Sequence, residues 1–121
     1  MKISGYHHAS LIVTDLIKAA DFYEKLIGLE PIERPKLGFS GLWYAVGDLQ
    51  LHLLVLTPPL RFKEVPEHVG RDWHLALAID DIEELKIKLT KAGIFYTLSR
   101  SGRKALFCRD PDQNGLEFVV T

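Results

Sequence analysis

Two stretches decide how this chain folds: His8-Ala-Ser-Leu-Ile-Val-Thr-Asp15-Leu16 and His74-Leu-Ala-Leu-Ala-Ile-Asp-Asp81-Ile82. Each begins on a histidine and reaches an aspartate seven residues later, and the two copies lie 66 residues apart. Self-similarity at a fixed offset means that one supersecondary unit has been used twice. Side chains along both stretches alternate between faces, as they do in strands. His8, Ser10 and Ile12 point one way and Ala9, Leu11 and Val13 the other. In the second copy His74, Ala76 and Ala78 oppose Leu75, Leu77 and Ile79.

Outward from each strand comes a helix. Asp15 and Asp81 stand where a carboxylate can accept the free N–H groups of a first helical turn. Leu16, Ala19, Ala20, Phe22, Tyr23, Leu26 and Ile27 then recur at helical spacing up to Gly28, and Ile82, Leu85, Leu89 and Ala92 do so up to Gly93. Both stripes read as core. Three further strands follow each helix, near 29–34, 41–46 and 49–56 and near 95–100, 103–109 and 115–121. Turn residues separate them, notably Gly47-Asp48, Ser101-Gly102 and Asp110-Pro111-Asp112-Gln113-Asn114-Gly115. The predicted class is α+β, with two βαβββ modules at about 5–56 and 73–121. The stretch 57–72, with Pro58, Pro59 and Pro66, reads as their linker.

Composition narrows the function. The chain has 121 residues, 47% apolar and 26% charged, with a net charge of -1. That is one-domain size with an ordinary soluble balance. Basic and acidic residues are interspersed, which argues against a nucleic-acid surface. No apolar run approaches membrane-spanning length, and MKISGYHHAS is not a signal peptide. The single Cys108 excludes an internal disulfide, fits a cytoplasmic protein, and reads as a small strand hydrophobe instead of a nucleophile.

Against this background four polar residues stand out. Aligning the last strands sets Leu51-His52-Leu53-Leu54 against Leu116-Glu117-Phe118-Val119, so His52 and Glu117 occupy matching positions, as His8 and His74 do. An ionised carboxylate in an apolar strand costs several kcal/mol unless it is paired or coordinated. Three imidazoles and a carboxylate form a donor set suited to zinc, nickel, cobalt or iron(II), with positions left open for substrate. A lone strand histidine is more often a core or rim residue. That reading is kept for His7, expected on the face opposite His8, and for His68 in the linker. Gln50, on the face of His52, is the alternative second ligand.

These residues carry a resemblance. His8-x6-Asp15-Leu16, Asp21-Phe22-Tyr23-Glu24-Lys25-Leu26-Ile27-Gly28-Leu29 and Gly47-Asp48-Leu49-Gln50-Leu51-His52-Leu53 resemble the glyoxalase/bleomycin resistance/dioxygenase group, the vicinal oxygen chelate superfamily. Asp72-Trp73-His74-Leu75-Ala76 and Asp110-Pro111-Asp112-x-Asn114-x-x-Glu117 extend it over essentially the whole chain. The resemblance implies two βαβββ modules forming a cupped mixed β-sheet with the helices on its outer face. It implies one divalent metal ion (zinc, nickel, cobalt, iron or manganese) on His8, His52, His74 and Glu117, with Glu117 as the catalytic base. It also implies a homodimer and a small oxygenated substrate chelated by the metal, turned over by lyase or isomerase chemistry. Thiol transfer, dioxygenation and non-catalytic sequestration of a small molecule are the alternatives within the family.

The chain departs from glyoxalase I of the resembling type, which has an arginine where Ile12 stands and an asparagine in the region of Leu54, Val55 and Leu56. Ser10 matches a drug-contacting threonine of fosfomycin thiol transferases. Ser10, Gln50, Arg103 and Phe107 are accordingly the candidate substrate contacts. Arg100, Arg103 and Lys104 read either as an anion-binding rim or, more simply, as a solvated hairpin. Trp43, Tyr44 and Phe107 read as core or as walls of the cavity.

Overall fold

The computed structural model describes residues 1–56 and 64–121. The first part of the expected linker, with Pro58 and Pro59, lies outside these residues. The chain divides into two compact units, Met1–Leu60 and Arg61–Thr121.

In the first unit, strands β1 (His8–Val13), β2 (Glu30–Ile32), β3 (Gly41–Val46) and β4 (Leu49–Val55) form one sheet in the order β1-β4-β3-β2. β1 runs parallel to β4, and the other pairs are antiparallel. The parallel pair needs a crossover, and helix α1 (Leu16–Ala20) begins it. The Asp15 carboxylate caps that helix by accepting from the Ile17 and Lys18 amides at 2.9 and 3.1 Å. Helix α1 then widens into a π-helical stretch, Asp21–Leu26, where the Ile27 amide donates to the Phe22 carbonyl five residues back. Gly28, at φ 85°, ends the stretch in the left-handed conformation that glycine takes without cost.

The second unit repeats this plan. Strands β5 (His74–Ile79), β6 (Tyr96–Leu98), β7 (Ala105–Arg109) and β8 (Gly115–Val120) form a sheet in the order β5-β8-β7-β6, again with only the first pair parallel. Helix α2 (Ile82–Lys91) makes the crossover, capped by Asp81 through the Glu83 and Glu84 amides, both at 3.0 Å. Strand β7 starts at Ala105, two residues later than expected. Gly102 at φ 83° and a tight Ala105 N–H to Arg103 carbonyl bond put Arg103 in the preceding bend.

One face of each sheet carries the core. In the first unit Leu51 and Leu53 of β4 are buried with Val13, Tyr44, Phe22 and Tyr23. In the second Leu116 and Phe118 of β8 are buried with Leu77, Leu85, Leu89, Leu106 and Cys108. Alternation sends the residues between them to the opposite face, and there His52 and Glu117 stand. Part of the stretch read as linker is built into the second unit. Val69, in a short 3₁₀ turn (Val69–Arg71), is buried against Ala105 and Phe107.

Candidate metal centre

The register of the two sheets makes the repeat concrete. In the first, Ser10 lies opposite His52 and His8 opposite Gln50. In the second, Ala76 lies opposite Glu117 and His74 opposite Gly115. Across the antiparallel partner, Trp43 faces His52 and Phe107 faces Glu117. Each unit therefore presents two of the four expected ligands on neighbouring parallel strands, at the same register within its own sheet.

In the first unit the His8 and His52 rings stack, with centroids 4.1 Å apart and planes inclined by 20°. Trp43 stacks on His52 at 3.9 Å and 3°. His52 is buried, and that burial, followed by the nearby His8, pushes its imidazole below the usual histidine range. A neutral imidazole is the form that ligates a metal. Gln50 is joined to His52. Its Oε1 lies 2.8 Å from His52 Nε2, so Nε2 donates and Nδ1 of His52 holds the free lone pair. The expectation for His7 is corrected: its Nδ1 is 2.9 Å from Nδ1 of His8, because β1 begins only at His8 and strand alternation does not reach His7. Ser10 is exposed on the ligand face of β1. Tyr44 is core, on the other face, and donates to the Glu24 carboxylate at 2.9 Å.

In the second unit Glu117 is buried and both its oxygens are engaged. Oε2 is 3.0 Å from His74 Nε2, and Oε1 accepts from Arg103 Nη2 at 2.9 Å. His74 Nδ1 is 2.8 Å from the Asp72 carbonyl, which can only accept, so Nδ1 carries a proton. The second nitrogen of a neutral imidazole is then a lone pair aimed at a carboxylate oxygen. Two acceptors at that separation require a shared cation, which a proton or a metal ion supplies. A second-sphere carbonyl that fixes the tautomer of a histidine is the usual companion of a metal ligand. Imidazole nitrogen and carboxylate oxygen are donor types that a divalent ion accepts.

Phe107 is buried against this pair, its ring edge-on to His74 at 5.8 Å and to His68 at 4.9 Å. His68 itself bonds Thr97 Oγ1 through Nδ1 at 2.7 Å. Arg103 reaches Glu117 from the bend before β7, and the rest of its side chain stays exposed. Two positions escaped the sequence reading. Asp72 acts on His74 through a backbone carbonyl, which leaves no signal in residue type. Arg109 ties that same residue down, donating to the Asp72 carboxylate at 2.7 Å and to the Pro66 and Gln113 carbonyls at 2.6 and 2.9 Å. The structure thus brings together His8 with His52 and His74 with Glu117. Among the described residues no group of three or more His, Cys, Asp or Glu side chains forms a set able to hold a metal ion.

Two repeated mixed sheets, each with one buried polar ligand candidate (His52 or Glu117) beside an exposed histidine, define a class of protein, the paired βαβββ fold. The family profile of the Glyoxalase/Bleomycin resistance protein/Dioxygenase superfamily matches residues 5–118, and the chain belongs to that superfamily. It is 26% identical to a protein of Arabidopsis thaliana named glyoxylase I 4, over 93% of this chain and 68% of the relative. It is 31% identical to the trivalent organoarsenical cleaving enzyme of Bacillus sp. (strain MD1), over 96% of this chain and 73% of the relative. A glyoxalase family structure from Bacillus anthracis superposes with a TM-score of 0.80 at 25% identity, covering 100% of this chain and 98% of the other. Proteins of the superfamily commonly bind a divalent metal. One fold neighbour, FosX of Listeria monocytogenes, was solved with Mn(II) at 19% identity, a TM-score of 0.76 and coverage of 98% of this chain and 91% of its own.

Proposed function

We propose that the protein is a metal-dependent enzyme of glyoxalase type, carrying out lyase or isomerase chemistry on a small oxygenated substrate. In this reading His8, His52, His74 and Glu117 ligate one divalent ion: zinc, nickel, cobalt, iron or manganese. The observation that carries it is the facing pair in the second unit. With Nδ1 committed to the Asp72 carbonyl, His74 turns Nε2 toward Glu117 Oε2 at 3.0 Å, a placement that a metal ion could bridge in place of a proton. The matching register of His8 and His52 supplies donors of the same kind.

When bound, the metal supplies Lewis acidity toward neighbouring substrate oxygens and stabilises developing negative charge on them. The rest falls to the chain. The Glu117 carboxylate would take a proton from the substrate and return it, while the Arg103 bond to Oε1 restrains it. Trp43 stacks over the buried His52 ring and shields it from water, and Phe107 stands edge-on to His74. Ser10 stands beside the ligand face for substrate contact, while Gln50 fixes the ring orientation of His52. The names of the two curated relatives, a glyoxylase and an organoarsenical cleaving enzyme, support lyase-type chemistry. The assembly proposed is a homodimer in the cytoplasm. The dimer rests on the habit of the superfamily, and the compartment on the lone, buried Cys108.

Metal analysis of the purified protein, before and after incubation with Ni, Zn, Mn or Fe, tests the reading directly. We expect about one ion per chain and a turnover in Glu117→Gln lower by about a hundredfold or more. A protein that takes up no metal, or a Glu117→Gln variant with full turnover, would overturn it in favour of a sequestering role. With metal in place, methylglyoxal plus thiols, catechols, fosfomycin and trivalent organoarsenicals form the substrate panel.

A further inference from the structure

The proposed centre has a positively charged neighbour. Arg103 leaves the bend before β7 and crosses to the ligand face, where Nη2 donates to Glu117 Oε1 at 2.9 Å. Its Nε reaches Ser101 Oγ only at 3.4 Å, and among the described residues Nη1 has no hydrogen-bond partner. The side chain is 58% exposed although Glu117 is 6% exposed. A guanidinium offers five donors in a planar fork that matches an oxyanion two bonds at a time. Here one edge is spent on Glu117 and the other faces solvent. The neighbouring surface offers little obstruction: Ala76 and Ala78 of β5 are exposed on the face of Glu117, and their side chains end at a methyl group.

Charge points the same way. On the reading proposed above, a dication held by neutral imidazoles and one carboxylate keeps a positive charge, and Arg103 adds a second. Such an excess of positive charge attracts an anion, most strongly at the buried Glu117 end of the contact. We propose that Arg103 is a specificity-determining residue that docks an anionic group of the substrate beside Glu117, so that the substrate class is a small vicinally oxygenated acid carrying a carboxylate or related oxyanion. This rests on the metal reading for the position of the chelating oxygens, but the docking of the anion belongs to Arg103 itself.

The test uses 2-hydroxysuccinate and its 4-amide, which share the chelating hydroxyl and carboxylate oxygens and differ by one negative charge. Binding is followed by calorimetry on the metal-loaded protein. Arg103→Gln should weaken the dianion about ten- to a hundredfold, the loss expected for a charge-assisted hydrogen bond, and leave the amide within about threefold. Arg103→Lys should recover part of the loss. An equal loss for both ligands would mean that Arg103 acts only through Glu117, and no loss for either would mean a solvated arginine; both overturn the proposal. A second arm separates it from the metal reading. In metal-free protein, the Nε–H signal of Arg103 in nitrogen-15 spectra should shift on titration with 2-hydroxysuccinate and much less with the amide. Absence of metal uptake with that shift retained would remove the metal reading and keep the anion site, whereas an unmoved signal would sink the anion site.

Discussion

Cys108 sits on the core face of β7, 2% exposed, where burial first and the nearby Asp110 second push its thiol up to about 12 from an ordinary 9.0. Because the fold favours the protonated form, this contribution is complete below pH 9 and is lost as the pH rises toward 12. Denaturant unfolding followed across that window should show a declining stability whose slope is reduced in Cys108→Ala. Iodoacetamide should leave the thiol of the native protein unmodified and label it only on unfolding, since the thiolate is the reactive species. Rapid labelling of native protein would contradict the reading of Cys108 as a core hydrophobe.

The same alternation that hides Cys108 made His52 and Glu117 legible in the sequence. A polar side chain out of phase with Leu51 and Leu53, or with Leu116 and Phe118, must face away from the core. Proximity was less legible. Nothing in residue type announces that His7 turns back onto His8, or that the carbonyl of Asp72 sets the tautomer of His74. Those contacts depend on where a strand begins and on main-chain atoms that every residue shares.

Among the elements, both crossover helices could be read from their aspartate caps and apolar stripes, and both appear where expected. The π-helical stretch Asp21–Leu26 could not. The apolar stripe fits a 3.6-residue period equally well, so nothing in the residue types announces the wider turn in which Phe22 and Tyr23 are both buried. Turn chemistry was legible as a motif but not as a mechanism. Asp110 Oδ1 accepts from the Asp112 and Asn114 amides at 2.8 and 2.9 Å, and Oδ2 from Asn114 Nδ2 at 2.8 Å. This closed ring of bonds starts β8 in one register and so aims Glu117. Asp110→Ala should lower stability by about 3 kcal/mol, as expected for removing several bonds to a buried carboxylate. It should also weaken metal binding, and a variant unchanged in both would contradict this role. Gly115 opens the same strand opposite His74. An added Cβ would lie 2.6 Å from the Trp73 carbonyl and 2.9 Å from Val69 Cγ1, so Gly115→Ala should loosen β5 against β8. Thermal melting of this variant well below the parent would show it.

For the molecule as a whole, the repeat gives two units one frame and different chemistry. The first offers two imidazoles, the second an imidazole and a carboxylate. Their separate contributions can be weighed. His8→Ala should reduce metal affinity while leaving the Arg103–Glu117 contact intact, whereas Glu117→Gln should remove the one anionic ligand and cost more. We expect the gap between the two affinities to be about tenfold or greater, since the carboxylate carries the only formal charge among the four donors. Equal affinities in a competitive chelator titration would count against the ligand set. Sedimentation with and without metal should return a homodimer in both cases if the proposed assembly does not depend on the ion. No helix among the described residues is long and apolar enough to cross a membrane.

Arg109 grips the side chain of Asp72 just before β5 and the carbonyl of Gln113 just before β8, and is itself the last residue of β7. Slack introduced at Arg109 must therefore travel to His74 and Glu117 at once, since both launch points hang from the same tie. Substitutions elsewhere in these approaches can drift one at a time, but the tie makes the two ligands of the second unit stand or sag as a couple.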